Sequence, residues 1–227
     1  MWKLSIYTLL CVQCNYLRKI KMTNTYSART FALIAGSSYW IIFFAAIFAN
    51  FYVLESLATD PLTTVQQSHA LVRAGIIAFM ITVAFDVIVA WALYELYKEH
   101  PLSVLSTLFR MMHAAIMGVA IFALPAVFTL NNSEEILKQV NSFNTIWLIG
   151  LFFFGIHIIL LGKIITKPKI IVFFLIFAGI MYMIDTAAHF SFPEYEAYAS
   201  IFLVLVAIPS IFGEMSFAIW LLIKGGK

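Results

Sequence analysis

The chain has 227 residues, 63% of them hydrophobic and 11% charged, with 22 Phe and a mean hydropathy of +0.97. Such usage excludes an ordinary water-soluble domain, and the density of apolar runs leaves no room for one beside them. The net charge of +3 matters through where its Lys and Arg fall, because orientation in a membrane follows those residues near the spans and not the net charge.

Residues 1–22 read as an N-terminal extension. Leu4 to Val12 is too short to span and lacks an Ala-x-Ala-like cleavage site, which argues against a signal peptide. Met22-Thr23-Asn24 resembles a natural start, so the preceding segment is either a mis-assigned start or an amphipathic interfacial stretch. Cys11 and Cys14, the only cysteines, have a spacing that suits metal or redox chemistry, but no further ligands accompany them and they read as incidental.

Residues 23–227 read as an all-α integral membrane bundle. Six runs are long enough for the roughly 20 apolar residues that a bilayer core requires: Arg29 to Val53, Leu71 to Tyr94, Leu102 to Thr129, Thr145 to Ile165, Ile170 to Phe190, and Ala197 to Ile223. Turn-forming clusters such as Asp60-Pro61, Glu99-His100-Pro101 and Lys167-Pro168-Lys169 separate them. Asn131 to Asn144 is the one outer segment expected to add a surface helix. With the N-terminus inside, Lys3, Arg18, Lys19, Lys21, Arg29, Lys98, Lys163, Lys167, Lys169, Lys224 and Lys227 are cytoplasmic, against Lys138 and Arg73 outside. This asymmetry predicts an N-in, C-in arrangement in the cytoplasmic (plasma) membrane.

Inside these runs sit Asp86, Arg110, His113, His157, Asp185 and Glu214. Ionisable groups at that depth are costly, so they face a protein interior or a water-filled cavity and mark ion paths, relays or ligand counter-ions. At 1.5 Å per residue, Asp86, Arg110, His157 and Glu214 share one layer roughly 12 to 14 Å inside the inner boundary, with His113 one turn deeper. Ser103, Ser106, Arg110, His113 and Met117 recur at three- and four-residue steps and line one face of span three. Tyr39 and Asn50 are expected on one face of span one. Asp185 lies past the midplane, and the same spacing groups it with His189 and Tyr182 as an outer polar set.

Three carboxylates against one Arg leave the interior negative if all are ionised, so an acid is protonated, a His is charged or a cation is bound. Pro125 and Pro209 interrupt spans three and six, and Ala114 with Gly118 forms a small-xxx-small pair that suits close packing of span three. No Lys lies mid-span for a retinal Schiff base. The three His depths do not match a two-haem cytochrome, and they fit poorly with converging zinc ligands. Phosphate loops, nucleophile elbows and kinase signatures are absent.

Leu108-Phe109-Arg110, the stretch Phe154-Gly155-Ile156-His157 to Gly162, Ala178-Gly179-Ile180-Met181-Tyr182-Met183-Ile184-Asp185, Pro209 to Glu214, and Trp220 to Gly225 resemble the multi-pass bacterial membrane family called domain of unknown function 4386. The resemblance spans roughly Thr23 to Lys227 and implies the fold and the membrane, with no activity to carry over. The link Thr166-Lys167-Pro168-Lys169 departs from the longer, Ser- and Pro-containing link of that family.

The residues support three functional expectations. The first is a proton- or cation-linked transporter or binding protein for a small solute, with Arg110 as counter-ion, Asp86 and Glu214 as carriers, and His113 and His157 as relays. The second is a structural or signalling accessory subunit whose charges pin helices, and the third, an intramembrane enzyme using Asp185 and His189, ranks last. The expected partners are the lipid bilayer and a small molecule or ion, with no nucleic acid, no cofactor and no bound metal.

Overall fold

In hydrocarbon every backbone N–H and C=O must be satisfied within its own segment, so apolar runs of this length become helices. A computed structural model describes residues 26–227; the N-terminal extension with Cys11 and Cys14 lies outside the described residues. Those residues form seven helices and no strand, and six of the helices are long and apolar enough to cross a membrane.

Helix α1 is Ala28–Thr59, α3 is His69–Tyr97, α4 is Ser103–Thr129, α5 is Ser133–Ile164, α6 is Lys169–Ser191 and α7 is Ala199–Ile223. The short α2, Pro61–Gln67, joins α1 to α3. Consecutive spans run antiparallel, so the start of α1 and the end of α7 meet at one end of the bundle, here the termini end; the opposite end is the far end.

Two boundaries differ from the sequence expectation for a clear reason. Asn131 to Asn144 is no separate surface helix: Asn132 Oδ1 accepts from the Glu134 N–H at 2.8 Å, capping a 32-residue helix. Ile136, Val140 and Phe143, at helical spacing, are buried in the apolar core at the far end and draw that extension into the bundle. The extra short helix is α2 instead, begun by Pro61 in the first turn, where a missing N–H costs nothing. Pro125 interrupts the fourth helix, as its sequence position predicts. The α-helical part ends at Ile121, and Pro125 opens a 3-10 turn, Pro125–Thr129.

Two apolar cores are stacked along the bundle. The core toward the termini draws on five spans, with Tyr39, Val89, Leu93, Phe154, Leu161, Leu175, Phe217 and Leu221 among its members. The far core draws on α1 to α5 only, through residues such as Val53, Val65, Phe79, Leu124 and Phe143, and neither α6 nor α7 supplies it. The bundle's outer surface is strongly apolar: Phe44, Phe51, Phe122, Phe173, Ile170 and Leu203 are all exposed, as a lipid-facing surface requires.

Without a water-driven hydrophobic effect between them, membrane helices hold together by close packing. Between α5 and α6 backbone meets backbone, where a Cβ added to Gly155 would sit 2.6 Å from the Gly179 carbonyl oxygen, and one on Gly179 the same distance from the Gly155 oxygen. Gly118 takes no part in such a contact. Nothing lies within 4 Å of a Cβ added there, and the residue borders an apolar groove between α3 and α4; Gly155 and Gly179 instead form a close-packing pair.

The termini end is closed by a polar clamp. The Arg29 guanidinium donates to the carbonyls of Leu221 at 2.9 Å and Gly225 at 3.0 Å, and also to Leu222. It thereby adds a charged donor to carbonyls at the last turn of α7 and opposes the negative end of that helix dipole.

Candidate functional site

Between the two cores lies a cavity of about 180 Å³ to which all six spans contribute. Its polar lining comprises Tyr39 of α1, Thr82 and Asp86 of α3, Arg110 and His113 of α4, Tyr182 of α6, and Ser210 and Glu214 of α7; α5 adds Trp147 and Phe154.

Arg110 is the hub. Its position on the Ser103, Ser106, Arg110, His113 and Met117 stripe turns it inward, and all five of these residues are buried. One terminal nitrogen, Nη2, donates to Asp86 Oδ1 at 2.5 Å, and Nη1 donates to the Tyr39 hydroxyl at 2.8 Å. The same Nη1 lies 3.3 Å from His157 Nε2. His157 Nδ1–H donates to the Ser106 carbonyl at 2.9 Å, which leaves Nε2 as the lone-pair side facing Arg110. The guanidinium also sits between two rings, 4.9 Å from the Tyr39 centroid and 5.2 Å from that of Phe154. Charge-assisted hydrogen bonds and cation–π contacts are strongest where water is excluded, and Arg110 is only 1% exposed.

Asp86 spends its second oxygen on α4 as well: His113 Nε2 is 3.5 Å from Oδ2, and the His113 ring packs on Phe154 with centroids 4.6 Å apart. Asp86, Arg110, His113 and His157 therefore form one contiguous set. Glu214 faces them across the cavity, on the π-helical segment Ile211–Met215 that follows Pro209. Its carboxylate accepts from the Tyr182 hydroxyl at 3.3 Å, and it makes no ion pair among the described residues. π-Helical turns inside α-helices widen the backbone locally and recur at functional positions.

Asp185 and His189 stand apart from this cavity, toward the far end, and Tyr182 does not join them. A helical side chain leans toward the N-terminus of its own helix, so Tyr182, on a span that rises from the termini end, reaches back to Glu214. The phenol beside Asp185 is Tyr195, from the turn between α6 and α7. Its hydroxyl donates to Asp185 Oδ1 at 2.7 Å, and its ring meets His189 edge-on with centroids 4.7 Å apart. Spacing along one helix grouped Tyr182 with the outer set because it cannot register that lean.

Tyr39 was legible only as sharing a face with Asn50. In the structure Tyr39 accepts from Arg110, and Asn50, on the π-helical segment Phe48–Leu54, donates its amide to the carbonyl of Ala46 at 2.9 Å. A usable signal existed, because Tyr39 lies ten residues beyond Arg29, or about 15 Å along the helix, in the layer of Arg110.

Chemically, this arrangement presents a neutralised ion pair, a carboxylate hydrogen-bonded to a phenol but without an ion pair, and a second phenol around a cavity with aromatic walls. Among proteins similar to this chain is one from Archaeoglobus fulgidus described as an uncharacterized protein, 33% identical over 159 residues that cover 67% of this chain and 85% of the relative. No solved structure matches the chain at a significant level. The sequence profile described as domain of unknown function (DUF4386) matches residues 34–225, and the chain belongs to that family.

Proposed function

We propose that this chain is a membrane protein that binds, and in its cycle moves, a small cation-linked solute through the cavity between spans α1, α3, α4 and α7. One observation carries the reading: Glu214 lines a cavity about 180 Å³ in volume without an ion pair of its own, while the adjacent Asp86 and Arg110 cancel each other. An isolated carboxylate in a low-dielectric interior is neutralised by a proton or by a bound cation. Arg110 positions and neutralises Asp86, His113 and His157 hold the pair in register, and Glu214 is the exchanging group.

A second reading has its own support. Arg110 ties α1, α3 and α5 together through Tyr39, Asp86 and His157, as a staple in an accessory subunit would. That reading gives neither Glu214 nor the cavity a task.

Thermal unfolding of the detergent-solubilised protein, titrated with Na⁺, K⁺ or methylammonium at several pH values, separates the two. A ligand bound to the folded state alone stabilises by RT ln(1 + [L]/Kd), about 2.7 kcal/mol at one hundred times Kd. Because proton and cation compete for one carboxylate, the stabilisation is expected to grow as pH rises and fade as it falls. Glu214→Gln should fold yet lose both dependences. An unchanged cation and pH response in that variant would leave only the staple.

The Lys and Arg distribution supports N-in, C-in insertion in the plasma membrane. Cysteines introduced at Asn132 and Lys167 are expected to react with an impermeant thiol reagent from outside and only after lysis, respectively; the reverse pattern would invert the topology.

A further inference from the structure

Spans α1 and α7 touch closely toward the termini and part beyond that. At the termini end Arg29 clamps the α7 carbonyls, a Cβ on Gly36 would lie 2.8 Å from Leu222 Cγ, and Tyr39 meets Phe217 edge-on with centroids 6.0 Å apart. One turn further on, Ile42, Phe43 and Ala46 of α1 and Ile211 and Met215 of α7 form opposite rims of the cavity. Ile211 lines the cavity and is nevertheless 47% exposed, so the cavity reaches the bundle's lateral surface there. Toward the far end α7 contributes nothing to the core that joins α1 to α5, and Ile201, Val204, Leu205 and Ile208 are exposed. A π-helical segment interrupts each helix near this gap, Phe48–Leu54 in α1 and Ile211–Met215 in α7.

The mouth is apolar and opens sideways toward lipid, whereas the floor is ionic. The volume of about 180 Å³ corresponds to roughly six waters at about 30 Å³ each, below the roughly 300 Å³ at which pockets for whole drug-sized ligands begin. A head group fits and the rest of the molecule stays outside. With Asp86 balanced by Arg110, the remaining carboxylate is that of Glu214, which accepts from the Tyr182 hydroxyl at 3.3 Å and shares the cavity with Trp147. A carboxylate with no ion pair of its own, at the floor of a cavity with apolar walls, selects a cationic head such as an ammonium group.

From this geometry we infer that the ligand is a single-chain ammonium amphiphile that enters from the bilayer between α1 and α7, its head on Glu214 and its alkyl chain lying in the gap. The inference rests on the cavity reading above and names the ligand class. It requires no opening toward water at either end of the bundle, since the amphiphile is already concentrated in the lipid.

Saturable binding of radiolabelled dodecylammonium and of methylammonium to the full chain in nanodiscs tests it, with empty nanodiscs subtracted. The expected result is one site that takes dodecylammonium at least tenfold more tightly than methylammonium. Ile211→Trp, at a half-exposed rim position, and Ala46→Trp on the opposite rim should each weaken dodecylammonium at least tenfold more than methylammonium, and Glu214→Gln should weaken both. Equal affinity for the two amines, together with indifference to either Trp variant, overturns the amphiphile inference and leaves the small-cation reading standing. No saturable, Glu214-dependent binding of either amine overturns both.

Discussion

Asp86→Asn is expected to destabilise the folded bundle by about 3 to 5 kcal/mol, the usual cost of stripping a buried ion pair of one partner. The substitution is nearly isosteric, so packing is preserved and the amide oxygen can still accept from Arg110. Only the countercharge is lost, at a guanidinium 1% exposed to its surroundings. Tyr39 and His157 remain as neutral partners at 2.8 and 3.3 Å, and neutral acceptors cannot balance the charge. Arg110→Met should cost a similar amount, because it leaves Asp86 with His113 alone. The double variant Asp86→Leu with Arg110→Met removes both charges and should lose far less than the sum of the single changes, a coupling that a double-mutant cycle reads directly. Reversible unfolding in mixed micelles gives the values; a loss below about 1 kcal/mol for Asp86→Asn would mean that water reaches the pair freely.

Gly179→Val is expected to cost about 3 kcal/mol or more, at the upper end of overpacking effects. An added Cβ would meet the Gly155 carbonyl oxygen at 2.6 Å and the Ile159 backbone nitrogen at 3.2 Å, and backbone cannot rotate away as a side chain can. Relief therefore requires α5 and α6 to separate. Tyr182 lies three residues further along α6, so its 3.3 Å contact with Glu214 should loosen with them and weaken ligand binding beyond the stability loss. Gly118→Ala is the matched control: with nothing within 4 Å of the new Cβ, it should gain about 0.5 to 1 kcal/mol from helix propensity. The same unfolding measurement applied to both variants checks the contrast, and a Gly179→Val protein as stable as the parent would show that the two helices are not in backbone contact.

Much of this architecture was readable before any coordinates because lipid leaves few options. A long apolar run must be a helix, and an ionisable residue within it must turn inward. The periodic stripe on α4 and the shared depth of Asp86, Arg110 and His157 follow from the helix repeat alone, and the structure places these three residues together. Features that depend on departures from that repeat were not readable. Nothing in the repeat announced the π-helical segments in α1 and α7, and the lean of side chains along α6 carried Tyr182 to Glu214 instead of Asp185. Gly118 and Gly155 show a further gap: both are glycines in apolar helices, but only the arrangement of neighbouring spans decides which one meets another backbone.

The Arg29 clamp has a consequence for the order in which the protein is made. Asp86 and Arg110 are separated by 24 residues and can pair as soon as the second and third spans form a hairpin, and His157 joins when the fourth arrives. Arg29 must wait for Leu221, 192 residues later in the chain. During synthesis, then, most of the ionic floor is assembled while the ring of helices is still open, and its last wall, carrying Glu214, is delivered by α7, the last of these six spans to emerge. Docking of that segment closes the ring, and the first charged residue of the first span holds the last turn of the last one in place.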